Sequence, residues 1–183
     1  MNMIDTDNLK VTPEMEANFK QYLQGHVHKV CVFAKMLFEL GLIERDLYDF
    51  IRHGHDKSKL EEPEFTPYVK RKWFEREGDQ EKFNDMGDDV KQAIIHHVTN
   101  NSHHPECWSP DYEGFEVEQP CHIVGMPEEC VIEMVCDWMA MGLERGNTAR
   151  AWYNKVNGSK WMFDKTTQAL IEKWLATFEN MGV

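Results

Sequence analysis

The stretch HHVTNNSHH, residues 96–104, holds four of the chain's nine histidines, and His26/His28 and His53/His55 add four more in two close pairs. Imidazole titrates near neutral pH and is a ligand for divalent first-row metals, so histidines collected in this way suit proton transfer or metal binding. Either role requires that several of them turn toward one interior.

Helix phase separates the neighbours, because residues three, four and seven apart share a face and residues one or two apart do not. His26 is in line with Phe19, Tyr22, Leu23, Val30 and Phe33, whereas His28 aligns with Gln21, Gln24, Val32 and Lys35. His55 continues the line of Leu47 and Ile51, with Asp56 beside it, while His53 follows Asp46 and Asp49. His97 shares a face with Val90, Ala93 and Ile94, and His96 stands over Gln92. The phase therefore expects His26, His55 and His97 inside, with His103 and His104 arriving from a loop. Asp137 lies in the apolar run VIEMVCDWMAM, where a lone carboxylate is costly to desolvate unless it is paired, hydrogen-bonded or bound to metal. More than four N and O ligands of this kind suit two divalent ions better than one closed tetrahedral structural site.

The elements that must position these residues read as helices. Thr12-Pro13 has an N-cap and first-turn signature, and apolar residues recur at helical spacing until Gly41. A second helix is expected over 44–52 with Leu47, Phe50 and Ile51 inward, a third over EFTPYVKRKWFER, and a fourth over DDVKQAIIHHVTNN. Residues 77–88 read as a polar turn, and 101–127 as the longest irregular segment, in which FEVEQPCHIVG suits a short hairpin. Helices follow from Pro127, over 148–156, and over 164–179, the last with Phe163, Thr167, Leu170, Ile171, Trp174 and Phe178 on its inner stripe. The expectation is an all-α, compact helical bundle with a long histidine-bearing loop, as one domain over residues 1–183.

Composition sets the outer limits. The 183 residues, 42% hydrophobic and 28% charged, are those of a globular chain with no membrane span. Residues 1–10 carry no basic segment followed by an apolar one, so the expected location is the cytoplasm. The five cysteines lack CxxC spacing, which argues against a disulfide framework and a cysteine-rich zinc ribbon. A net charge of -12 disfavours duplex nucleic acid, whose phosphates demand many cations. The local exception, VKRKWFER, reads as a solvated helix face ahead of an anion site. Trp152 and Trp161 suit either the core or a homodimer face.

The ordered series His26, His55-Asp56, His97, His103/His104 and Asp137 resembles the HD-domain superfamily of metal-dependent phosphohydrolases. HDKSK is similar to its His-Asp-x-x-Lys form and HVHKVCVFAKML to its first helix. NNSHHPE and CDW resemble a small, often phage-encoded branch in which His-Asp-x-Ser-Lys precedes Asn-x-His-His-Pro-Glu and a late Asp-Trp. The resemblance implies a helical bundle with a metal on His26, His55, Asp56 and Asp137. It also implies a second ion toward His97, His103 and His104, with Asp56 bridging. The ions expected are divalent: Mn, Fe, Zn, Co or Mg. The spacing from His97 to His103 is short for dinuclear members, and the Gly-Tyr-Pro signature of cyclic dinucleotide phosphodiesterases is missing, so that specificity is disfavoured.

The expected activity is hydrolysis of a small phosphorylated, nucleotide-like substrate by a metal-activated water. Asp56 would orient the nucleophile, and Lys59 would stabilise charge on the transferring group or hold Asp56. Glu106, Asn100 and Asn101 are expected to support the loop histidines, and Trp108 and Tyr112 either stack on a base or anchor the loop. Two other classes fit the same ligands: a diiron oxygenase of the HD-like type, and a noncatalytic nucleotide- or metal-binding module.

Overall fold

In the computed structural model, which describes residues 10–84, 87–114 and 119–183, the fold is all-α. Among the described residues the α-helices are α1 (Pro13–Glu39), α2 (Arg45–Gly54), α3 (Phe65–Glu77), α4 (Gln80–Asn84), α5 (Asp88–Asn100), α6 (Glu128–Arg145), α7 (Ala149–Val156) and α8 (Lys165–Asn180). Two three-residue strands, β1 (Cys121–Ile123) and β2 (Trp161–Phe163), complete the regular structure with 3-10 turns at Lys57–Leu60 and Pro105–Trp108. No described helix is long and apolar enough to cross a membrane.

The described chain packs as two compact units, one made of residues 10–25 and 56–97, the other of 26–55 and 98–183. In the first, the opening turns of α1 bury Met15, Phe19 and Leu23, and Val69, Val90 and Ala93 are buried on α3 and α5. Phe19 meets Phe65 edge-on at 5.9 Å and stacks on Tyr68 at 6.4 Å, which fixes α1 against α3. The basic run of α3 supplies its own counter-ions: Lys72 pairs with Glu75 at 2.6 Å, and Arg76 lies 3.6 Å from Glu14. Arg76 is exposed and Lys72 half-buried, but Lys70 is buried, so the run is a solvated face only in part.

The larger unit owes its core to α6, an 18-residue helix that buries Val131, Ile132, Met134, Val135, Cys136, Trp138 and Ala140. Val30, Phe33, Ala34 and Leu37 of α1 belong to the same core, together with Ile171, Trp174, Leu175 and Phe178 of α8. Phe33 and Phe178 touch edge-on at 5.7 Å. Trp161 is core, stacked on Trp138 at 6.1 Å, and half-buried Trp152 meets it edge-on at 6.4 Å.

Three local expectations need correction. Phe50 is 58% exposed, because the inner stripe of α2 runs Ile51 to His55 and leaves Phe50 a quarter-turn away. A short helix, α4, stands inside the 77–88 segment read as a turn. The hairpin expected over 115–125 falls partly on residues 115–118, outside the described residues, and its described strand pairs elsewhere. Cys121, His122 and Ile123 lie parallel to Trp161, Met162 and Phe163.

That pairing returns the long loop to the body of the unit. The Val124 amide donates to the Trp108 carbonyl at 3.1 Å, and the Asp164 amide to that of Ile123 at 3.0 Å. Asp164 also caps α8, accepting from the Thr167 amide at 2.9 Å, and holds the loop by accepting from the Gly125 amide at 2.7 Å. These donors outweigh the effect of burial and hold the carboxyl below its usual range. Replacing Asp164 by Ala removes the cap and the loop tie together, and is expected to lower the unfolding free energy by about 1–2 kcal/mol in urea titration, with Asp164→Asn retaining most of it.

Candidate metal centre

The helix phases deliver the expected histidines. His26, His55 and His97 are 4%, 4% and 2% exposed, whereas His28 and His53 are exposed and His96 is half-buried. Within the larger unit, His26 comes from α1, His55 ends α2, Asp137 lies on α6, and His103 and His104 stand in the loop before the Pro105–Trp108 turn.

His26 Nε2 lies 3.0 Å from Asp137 Oδ1 and 3.4 Å from His55 Nε2, and His55 Nε2 lies 4.0 Å from the same carboxylate oxygen. The opposite nitrogens of both rings meet other carboxylates: His26 Nδ1 faces Glu144 Oε1 at 3.1 Å, and His55 Nδ1 faces Glu133 Oε1 at 2.8 Å. A neutral imidazole carries one N–H, and a carboxylate accepts only, so the His55 proton belongs on Nδ1 toward Glu133; His26 meets a carboxylate on each nitrogen, and an ion on its Nε2 would place its proton on Nδ1 toward Glu144. Two lone pairs and an anionic oxygen then converge, an arrangement that a cation stabilises. Ligands bound at about 2.0–2.2 Å stand roughly 3–3.5 Å apart around an ion, close to the spacings here. The donor set fits a divalent metal ion. Burial opposes ionisation of Asp137, but the neighbouring His26, His55 and His103 imidazoles hold its carboxyl below the ordinary range.

Glu133 serves a second histidine. His103 Nδ1 approaches Glu133 Oε1 at 3.3 Å, and the His103 ring lies 4.5 Å from that of His55 and 4.4 Å from that of half-buried His104. His55, His103 and Glu133 form a second group able to hold a metal. The Nδ1 contacts make Glu133 a holder of both rings, and leave the His26, His55 and Asp137 atoms as the better nest. Burial works to raise the Glu133 pKa, but hydrogen bonds from His103 and His55 prevail and pull it down to about 2.

The smaller unit repeats the arrangement. Glu64, fully buried just before α3, faces His97 Nδ1 at 2.8 Å and His96 Nδ1 at 2.8 Å and accepts from Ser58 Oγ at 3.0 Å. His97 Nε2 is thereby turned to Asp56 Oδ1 at 3.1 Å, and Lys59 Nζ donates to Asp56 Oδ2 at 2.7 Å. Burial opposes ionisation of Glu64, yet its imidazole and hydroxyl neighbours lower its pKa. Asp56 occupies the left-handed region at φ 58°, a conformation that carries strain for any residue with a Cβ.

The supporting roles expected in the loop divide. Trp108 anchors it, donating from Nε1 to the Ser102 carbonyl at 2.8 Å. Glu106 is buried and pairs with Lys160 at 2.9 Å. Asn100 donates to Thr99 Oγ1 at 3.3 Å, and the Asn101 carbonyl accepts from the His104 amide at 2.9 Å. Burial and the charge of Glu106 push the Tyr112 hydroxyl up to about 12.

The residues that sequence reasoning passed over are Glu64, Glu133 and Glu144. Two had a signal. Glu133 lies in the same apolar run as Asp137, one helical turn before it, and Glu144 lies two turns after, all within about 40° of one face at 100° per residue. Glu64 precedes its helix and has no periodic mark.

Two outcomes follow. Glu133 ionises at about 2 in the folded chain against 4.5 as its ordinary value, so its charge contributes stability that is complete above about pH 4.5 and lost as pH falls toward 2. The stability advantage of wild type over Glu133→Gln, followed by chemical unfolding, should shrink across that window. Asp56→Gly should be about 1 kcal/mol more stable than Asp56→Ala, since glycine alone adopts the left-handed backbone without strain.

No curated protein and no solved structure matches the chain. Residues 15–177, which include every residue of the centre described above, match one family model, and the chain belongs to that family, described as Family of unknown function (DUF5662).

Proposed function

We propose that the protein binds a divalent metal ion through His26, His55 and Asp137 and is a phosphohydrolase acting on a small phosphorylated, nucleotide-like substrate. The observation that carries this reading is the convergence of His26 Nε2, His55 Nε2 and Asp137 Oδ1 within 4.0 Å, with both Nδ1 atoms already engaged by carboxylates. Buried imidazole and carboxylate donors of this sort select Mn, Fe, Co or Zn over alkali ions. The hydrolytic half of the reading is supported by the ordered His26, His55-Asp56 and Asp137 series and its likeness to the HD-domain superfamily.

A divalent ion at such a site supplies Lewis acidity toward a phosphoryl oxygen and a nucleophilic water near neutral pH. The chain's own groups prepare that chemistry. Glu144 and Glu133 fix the two rings, and Asp137 contributes the anionic ligand. His103, held through Nδ1 by Glu133, and its neighbour His104 are the loop groups proposed to meet ion or substrate. A phosphate dianion needs cations beyond the metal, because the chain as a whole is strongly acidic. Lys29, 39% exposed and 3.1 Å from Glu144, is an ammonium on the His26 side.

The test is product detection by mass spectrometry after incubation with pooled nucleotides and sugar phosphates plus Mn²⁺, with elemental analysis of the purified protein alongside. The expected result is a dephosphorylated or cleaved product from wild type that falls at least 100-fold in His55→Ala and Asp137→Ala, as loss of a metal ligand demands. Bound metal with no product from any member of the pool overturns the hydrolase. Turnover that requires dioxygen and bound iron assigns the site to oxygenase chemistry.

A further inference from the structure

One helix contributes both the anionic ligand of the proposed centre and the two carboxylates behind its histidines. Glu133, Asp137 and Glu144 occupy one stripe of α6, with Asp137 pointing to the Nε2 side of the rings and the two glutamates to the Nδ1 side. Glu144 is reached by two donors on the same oxygen, His26 Nδ1 and Lys29 Nζ, each at 3.1 Å. Glu133 likewise receives His55 and His103 on one oxygen. Neither glutamate belongs to the His26, His55 and Asp137 group, and each meets its ligand histidine at Nδ1.

We infer that Glu133 and Glu144 are positioning residues for the metal, each holding one ligand histidine in the Nδ1–H form so that its Nε2 lone pair is presented to the ion. The inference rests on the metal reading above and adds to it the residues that set affinity. An imidazole free to choose its tautomer spends part of its population with Nε2 protonated and unable to bind, and its ring can rotate away. A carboxylate at Nδ1 removes both losses and increases the basicity of Nε2. The two supports differ in surroundings. Glu133 is 3% exposed and holds a loop histidine as well, whereas the Glu144 side chain is 14% exposed and shares its charge with Lys29. Substitution at 144 therefore disturbs the metal with the smaller effect on packing.

The experiment combines two readouts. At pH 8, long-range ¹H–¹⁵N correlation should show His55 protonated on Nδ1 in the metal-free wild type, and His26 protonated on Nδ1 once zinc is added. An Nε2–H pattern at His55 without metal, or at His26 with zinc, overturns the proposal irrespective of any variant. Cobalt(II) titration, read by its visible absorption and by competition with a chelating dye, should then give a dissociation constant 10–100-fold weaker in Glu144→Ala than in wild type. Glu144→Asp, whose carboxylate is drawn back by one methylene, should fall between them, and Glu144→Gln, which keeps an acceptor oxygen, should recover most of the affinity. Glu133→Gln is the parallel variant for His55. Equal cobalt affinity in wild type, Glu144→Ala and Glu144→Asp, with unchanged thermal unfolding of the metal-free chains, overturns the positioning role and leaves the metal site standing. Absence of cobalt binding in wild type overturns the metal reading and this inference together.

Discussion

A carboxylate shut away from water must be met by donors on nearly every lone pair, and the imidazole-on-glutamate contact is how this chain meets that demand at buried Glu64 and Glu133 and, less completely buried, at Glu144. His97, His55 and His26 meet these acids through Nδ1 and turn the other nitrogen toward an aspartate. The cost of desolvating each acid is offset only while its ring stays in place. Ring and acid are thus mutually required, and the orientation of every interior Nε2 follows from that bond. Without it the histidines would still be buried by their helix phase, but their nitrogens would have no fixed direction.

The apolar framework serves this constraint by limiting backbone freedom around it. α6 is buried along most of its length, so the side chains on its polar stripe are set by a helix that cannot rotate without exposing Val131, Val135 or Trp138. The long loop, by contrast, has little regular structure and is tied down at a few points: the Trp108 indole on Ser102, the parallel β1–β2 contact, and the Asp164 carboxylate on Gly125. Residues His103 and His104 lie close to the first of these ties. Their placement therefore depends on an aromatic anchor as well as on Glu133.

Which of these features the sequence makes legible depends on how local their cause is. Burial of His26 over His28, and of His55 over His53, follows from a repeat of 3.6 residues and is readable within one helix. Helix α8, with Thr167, Ile171, Trp174 and Phe178 inward, is readable for the same reason. Phe50 is misread because size and apolarity are given more weight than phase. The β1–β2 pairing is not readable, since two three-residue strands some 40 positions apart leave no periodic trace. Glutamates are harder than histidines, because a glutamate on a helix is so commonly a solvated residue that its interior role shows only when its neighbours along the stripe are read with it. Glu133 in VIEMVC carries that signal as Asp137 does, yet only Asp137 is read from it.

The stripe of α6 has a consequence for how this centre can vary. A ligand and two supports carried on separate loops can drift one at a time. Here they share one rigid register, four and seven residues apart, so that inserting or deleting a single residue between Glu133 and Glu144 turns one end of the stripe by about 100° against the other. Such a change could not be absorbed locally: it would carry an acid into the apolar core and withdraw another from its histidine in the same stroke. The pattern Glu-x3-Asp-x6-Glu is therefore rigid in its count, and its intervening letters are constrained as well, since Met134, Val135, Cys136, Trp138 and Ala140 are buried in the core.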